Sequence, residues 1–219
     1  MTLKVFMDGS AEVVIPKSVS DRAAQAFVAE HEAWLAQHMA ARPPELKQPA
    51  IRPQFLDLAA VGERWQLDVR PANGKRVATT LRPGATPNDF TLRLTTAGDD
   101  DDMPGRVRAA LIARAKQMYN ELLTPLASQM HSPFRRLQVR DQKTCWGSCS
   151  SRGTISMNYA GLFLAPQLVR YLCIHELAHC HHMDHSPSFW AVVQRYEPDA
   201  RALDRQLGSK LDVVPRWLW

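Results

Sequence analysis

The stretch "YLCIHELAHCHHMDHSPSFW", residues 171–190, holds five of the chain's eight histidines. His175 and His179 are four apart, so on a helix they project from one face a turn apart, and two imidazoles can grip one metal ion. Glu176 follows about 100° further round the helix. It can hold a metal-activated water without taking up a coordination position. Catalytic zinc takes three protein ligands and keeps a fourth position open. Such a site lowers the pKa of its water to about 7, and a neighbouring glutamate takes the proton as the water attacks a carbonyl.

The third ligand depends on where the helix stops. His181, two residues past His179, faces the wrong side. His182 lies on the right face but about 10 Å along the axis from His175, beyond comfortable reach of one ion. His185 joins the pair only if the helix ends before it. Ser186-Pro187 reads as a helix start, with serine as cap and proline in the first turn. A break is therefore expected between about His181 and Ser186. The resulting site is His175, His179 and His185 as metal ligands and Glu176 as general base, with His182 beside the ligands or gating them. A solvated polar face capped by Asp184 is the competing reading. Leu172, Cys173, Ile174, Leu177 and Ala178 surround the pair with apolar residues, which such a face would not have.

Outward from this stretch, 219 residues suffice for one large domain or two small ones. Hydrophobic content of 45% with 22% charge is ordinary for a soluble globular protein. The net charge of +5 permits an anionic partner such as nucleic acid without requiring one. The first residues lack the basic and apolar regions of a secretory signal. No apolar run is long enough to span a bilayer, so a cytoplasmic protein without membrane contact is expected. Cys145, Cys149, Cys173 and Cys180 are then expected to be reduced. Cys145 and Cys149 lack the second cysteine pair of a zinc finger.

The N-terminal half reads mostly as sheet. Leu3, Val5 and Met7 alternate with Lys4 and Phe6, Asp8-Gly9 reads as a hairpin turn, and "EVVIP" (residues 12–16) returns. Ser20 opens a helix with Phe27, His31, Trp34, Leu35 and His38 on one half-buried face. "RPPELKQPAIRP" (residues 42–53) reads as a connection. Trp65, Leu67 and Val69 alternate along a strand, Asn73-Gly74 turns it back, and Phe90, Leu92 and Leu94 mark a further strand. "AGDDDD" (residues 97–102) reads as an exposed boundary loop. A long helix follows, with Val107, Leu111, Ala115, Met118, Leu122 and Leu126 on one stripe, ending near Pro125. "RRLQVRD" reads as a short strand, "QKTCWGSCSSRG" as a polar loop and "TISMN" as another strand. Pro166 starts the helix that carries the opening motif.

With these residues in view, "WGSCSSRGTISMNY" followed by "HELAHCHHMDHSPSFW" resembles the YgjP-like predicted metal-dependent hydrolases, which are related to the WLM and SprT-like zinc proteases. Trp146, Gly147, Ser148, Cys149 and Ser150 match the first part of the family pattern. His175, Glu176, Leu177 and His179 match the second, and His185, Ser186, Phe189 and Trp190 the third. The strong match spans about residues 137–200. The resemblance implies a small gluzincin-like catalytic fold and independently supports His185 as third ligand. The H-E-x-x-H-x5-H spacing is shared with metzincins, but His182 stands where that group has glycine, and no separate methionine turn follows.

The expected architecture is α+β: residues 1–98 as an N-terminal antiparallel β-rich region with a helix, and 103–219 as a zincin-like catalytic domain. In zinc peptidases an edge strand beside the metal commonly binds substrate backbone. In "TISMN", Thr154, Ser156 and Asn158 would point one way and Ile155 and Met157 the other. Arg152, Asn158, Tyr159 and His182 are candidates to stabilise the developing oxyanion. Equally, Trp146 and its loop could simply brace the metal helix. The leading functional expectation is a zinc metallopeptidase acting on a peptide or protein. One alternative is a nucleotide phosphoanhydride hydrolase, with Arg135, Arg136, Arg140, Lys143 and Arg152 holding phosphates. The other is a DNA- or protein-binding module with structural zinc, in which Cys145, Cys149 or His182 supplies a fourth ligand.

Overall fold

The computed structural model describes residues 1–5, 11–16, 19–40, 51–72, 77–97, 102–143, 145–207 and 213–218. The Asp8-Gly9 and Asn73-Gly74 turns, most of the proline-rich connection, Met7, the His38 side chain and most of the aspartate run lie outside these. The described residues form two compact units, one within residues 1–51 and one within residues 52–218.

In the first unit, β1 (Thr2–Val5) pairs antiparallel with β2 (Ala11–Val14), Leu3 opposite Val13. The helix that follows is interrupted. α1 (Asp21–Glu30), capped by Ser20, gives way at His31 to α2 (Glu32–Ala40). The His31 Nδ1 bonds the Phe27 carbonyl at 2.8 Å and its ring sits 4.3 Å from the Phe27 ring. A side chain occupied with the preceding turn competes with helix continuation. Phe27, His31 and Leu35 are half-buried as the pattern suggests, whereas Trp34 is exposed.

The second unit begins with a four-stranded sheet in the order β3-β4-β6-β5, formed by Phe55–Leu58, Glu63–Pro71, Asp89–Thr96 and Ala78–Pro83 respectively. It is mixed, not antiparallel throughout. β4 does not pair with the strand that follows it, because β6 lies between them and runs parallel to β4. Strand alternation cannot reveal this, since period two is the same in either pairing. One face of the sheet is apolar, with Leu56, Leu58, Trp65, Leu67, Leu92 and Leu94 all buried.

The division expected at residues 98–103 falls inside this unit. The sheet is tied to α3 (Met103–Met130) by Arg114, whose guanidinium donates to Glu63 at 2.7 and 2.9 Å, while Trp65 Nε1 donates to the other Glu63 oxygen. The Ala60 N–H also donates to the Leu162 carbonyl. α3 runs past Pro125, which is exposed, and ends at His131 in the left-handed region, φ 50°. Its buried stripe includes Tyr119, Leu123 and Met130, with Leu123 more buried than Leu122.

α3 packs against α4 (Pro166–Ala178), against β7 (Arg136–Arg140) and against the short 3-10 helix Tyr159–Phe163. β7 belongs to a three-stranded sheet ordered β7-β9-β8, in which β9 (Thr154–Asn158) runs parallel to β7 and antiparallel to β8 (Gly147–Cys149). The expectation for "TISMN" is corrected here. β9 is central and paired on both sides, and the edges are β7 and β8, the latter inside the segment expected to be loop. Beyond α4 come α5 (Pro187–Tyr196) and α6 (Ala200–Leu207). No helix among the described residues is long and apolar enough to cross a membrane.

Candidate metal centre

Regular helix ends at Ala178, slightly before the expected break, and the His181 and His182 N–H groups close the last turn onto the Ala178 carbonyl. The chain then reverses, and Ser186 caps α5 by accepting from the Phe189 N–H, with Pro187 in the first turn. The reversal carries His185 back over the helix. One ring nitrogen each from His175, His179 and His185 comes to lie within 4.8 Å of the others. The Nε2 atoms of His175 and His185 face each other at 3.1 Å. Two nitrogens bound to one zinc at about 2.0–2.1 Å stand about 3.3 Å apart in a tetrahedral arrangement, so the donor set suits such an ion.

The rings are oriented from behind. Tyr171 Oη accepts from His175 Nδ1 at 3.1 Å and donates to Asp204 Oδ1 at 2.8 Å, which leaves the His175 Nε2 lone pair facing the cluster. His179 Nδ1 donates to the His182 carbonyl at 3.0 Å. Both arrangements are what metal-ligating histidines use to fix tautomer and ring angle. Phe189 is fully buried and lies 4.6–4.9 Å from all three imidazoles, forming the floor of the cluster. Trp190 flanks His175 and His185, and the Arg201 guanidinium covers its ring at 3.6 Å.

Burial lowers the pKa of His175 to about 4, with the neighbouring His179 and His185 adding to the shift. Burial lowers His179 as well, against the raising effect of its bond to the His182 carbonyl. Neutral imidazole is the ligating form, so this environment favours metal binding. Glu176 is buried on the same helix, and burial raises its carboxyl to about 8. Among the described residues its Oε2 has no hydrogen-bond partner. A buried carboxylate oxygen without a partner is costly unless it serves a ligand or water. Gly147 on β8 makes room for it, since a Cβ there would stand 2.6 Å from Glu176 Oε1.

A family model, the YgjP-like metallopeptidase domain, matches residues 1–210. The chain belongs to this family. The YgjP-like assignment makes it a metal-dependent hydrolase of α+β architecture. Among solved structures, this YgjP-like chain is similar to the metallopeptidase zymogen abylysin of Pyrococcus abyssi, at 28% identity, over 43% of this chain and 95% of that one, with a TM-score of 0.40. No curated protein matches it.

The remaining candidates in this YgjP-like domain separate clearly. His181 bonds Ser132 Oγ at 2.6 Å and the Met130 carbonyl at 3.3 Å, so it anchors the turn to the end of α3. His182 contributes its carbonyl, not its ring, to orienting His179. Asn158 is consumed structurally: its amide donates to the Gln142 and Cys145 carbonyls and its oxygen accepts from Ala160 N–H. Tyr159 is buried, with Asp141 and Arg108 as its charged neighbours. Of the four oxyanion candidates, Arg152 alone lines a cleft that also includes His179. Trp146 braces, donating from Nε1 to the Leu207 carbonyl at 3.1 Å. The four cysteines are free thiols, and those of Cys149 and Cys180 are 4.0 Å apart.

Sequence reasoning missed Tyr171, Gly147 as the neighbour of Glu176, and Asp204. Tyr171 sits four residues before His175, a same-face spacing that could have suggested it. Asp204 carries no local signal, because it reaches the site only through the packing of α6.

Proposed function

We propose that this YgjP-like domain is a zinc-dependent peptidase in which His175, His179 and His185 hold the metal and Glu176 is the general base. The observation that carries the reading is the convergence of three oriented imidazole nitrogens beside a buried carboxyl group, one oxygen of which has no partner among the described residues. A zinc ion bound there supplies a Lewis acid for the substrate carbonyl and lowers the pKa of water to about 7. Glu176 orients the attacking water, takes its proton as the carbon–oxygen bond forms, and returns that proton to the amine as the carbon–nitrogen bond breaks. Phe189 and Trp190 pack against the imidazoles and fix their orientation. The edge of β8 beside Glu176, unpaired among the described residues, can take an extended peptide as an added strand. Among the described residues the cluster has three donors and no fourth, which favours an open catalytic position over a closed structural site.

The alternative of phosphoanhydride hydrolysis rests on Arg135 and Arg152, which line the cleft beside His179. Metal analysis of the purified chain, joined to a hydrolysis screen over peptides and nucleotides, separates the readings. The expected result is one zinc per chain and peptide cleavage. Glu176→Gln should keep the zinc and lose at least about a hundredfold in turnover. A Glu176→Gln protein that keeps both zinc and full turnover would remove Glu176 from the mechanism.

A further inference from the structure

A cleft of about 400 Å³ opens beside the histidine cluster, with His179 and Cys180 in one wall and Arg135, Arg152 and Gly153 in the others. Among the described residues no carboxylate lines it. Neither guanidinium forms a hydrogen bond or ion pair with another described residue. The two arginines are nonetheless placed by shared backbone geometry. The Gly153 carbonyl accepts from the Arg135 N–H at 2.8 Å, and the Gly153 N–H donates to the Ser150 carbonyl at 2.9 Å. Ser150 closes the turn, its N–H donating to the Thr154 carbonyl at 2.9 Å and its Oγ accepting from the Thr154 N–H at 3.1 Å. Gly153 has φ 76°, where a side chain is strained, and a Cβ there would meet Arg135 Cγ and backbone N at 3.5 Å. The β8–β9 turn thus keeps the Arg135 backbone beside Gly153, next in sequence to Arg152, and both arginines line the cleft with their guanidiniums left for something else.

We propose that this cleft is a carboxylate-recognition subsite, in which Arg135 and Arg152 hold an acidic side chain or the terminal carboxylate of a peptide whose scissile amide lies at the His175–His179–His185 cluster. The proposal rests on the peptidase reading above and gives it a substrate class. Each guanidinium presents a planar fork that matches a carboxylate in two parallel hydrogen bonds, stronger than those to a neutral amide. Two cations in a cleft without acidic neighbours also concentrate anionic peptides near the cluster. Because both side chains are solvent-accessible, the preference is modest and salt-sensitive.

The test uses the full chain carrying Glu176→Gln, loaded with zinc, and fluorescent peptides of one sequence that differ only in Glu against Gln at one position and in a free against an amidated C-terminus. Binding is read by anisotropy, without turnover. The carboxylate peptide should bind about fivefold to tenfold more tightly than its amide isostere at low salt, the difference shrinking towards about 0.5 M salt. Adding Arg135→Glu with Arg152→Glu should abolish that preference and favour a lysine-bearing peptide. A preference that follows the Glu/Gln change identifies a side-chain carboxylate, and one that follows amidation identifies the terminal group. Equal binding of all four peptides overturns the proposal. So does a nucleoside triphosphate that outcompetes every carboxylate peptide and loses its binding in the same double variant. With Glu176 restored, cleavage of peptides without the carboxylate preference sinks the subsite and leaves the peptidase reading standing. A preference in binding with no peptide cleaved supports the subsite and sinks the peptidase reading.

Discussion

The hydroxyl of Tyr171 donates to Asp204 Oδ1 at 2.8 Å and accepts a hydrogen bond from His175 Nδ1 at 3.1 Å, so a carboxylate on α6 sets the tautomer of a ring on α4. Residues that orient metal ligands in this way are commonly worth 10–100-fold in metal affinity. Tyr171→Phe and Asp204→Asn should each weaken zinc binding by about tenfold or more in competition with a chelator. The double variant should lose little beyond the worse single one, because both act through one hydrogen-bond chain. Additive losses would mean that the two residues act separately.

Gly147→Ala tests the packing of β8 against the proposed base. The new Cβ would stand 2.6 Å from Glu176 Oε1, so the carboxylate must move. Turnover should fall at least about tenfold, while zinc affinity, which does not depend on this oxygen, stays within about twofold. Parallel loss of zinc would show that the strand supports the histidines instead.

Phe189→Ala removes the ring that lies against all three imidazoles. Its residue is fully buried, so the cavity should cost about 3–5 kcal/mol in denaturant unfolding. Zinc affinity should fall too, since the ligands lose their common floor. Phe189→Leu should recover most of the stability, and the remaining deficit in zinc affinity measures how far the flat ring matters.

Asp68 should make the second unit sensitive to acid. Hydrogen bonds from Arg70 first and Arg93 second hold its carboxyl below the ordinary value. A carboxyl whose folded pKa is depressed stabilises above its unfolded value, about 3.9, and that contribution is lost as pH falls through the folded value. Asp68→Asn should therefore be less stable than the parent at neutral pH, and the two should converge as pH falls through the folded value. Melting curves across pH check it: a gap that persists in acid would assign the effect to packing and not to charge.

Removing the metal should lower the melting temperature of the parent, because an ion that binds only the folded chain stabilises it by mass action. His185→Ala should show a much smaller chelator effect at the same zinc concentration. An unchanged chelator effect would place the binding elsewhere.

Much of the candidate site was legible in the chain's order because it is local. The four-residue spacing of His175 and His179 and the Ser186-Pro187 restart are short-range facts about helix geometry, and the three histidines they select do converge. The alternation of Trp65 with Leu67 and of Leu92 with Leu94 likewise marked strands that exist and bury those residues. Other readings failed for equally physical reasons. An exposed proline did not end α3, because the long apolar stripe continues beyond it. The helix opened by Ser20 breaks at His31, whose ring bonds the Phe27 carbonyl one turn back. The parallel pairing of β4 with β6, and the central place of β9, depend on neighbours that period-two alternation does not name.

What the sequence alone determined is the set of groups that one turn of helix and one reversal of chain bring together: three imidazoles and the glutamate between them. Only the tertiary structure decided how those groups are held and approached. Asp204 arrives on α6, Gly147 on β8, and Arg135 and Arg152 face one cleft because Gly153 bonds the backbone of both strands' ends. Helical spacing is written in a few consecutive residues, whereas these contacts join elements tens of residues apart and form only when the apolar faces of α3, α4, α5 and α6 and the small sheet pack together.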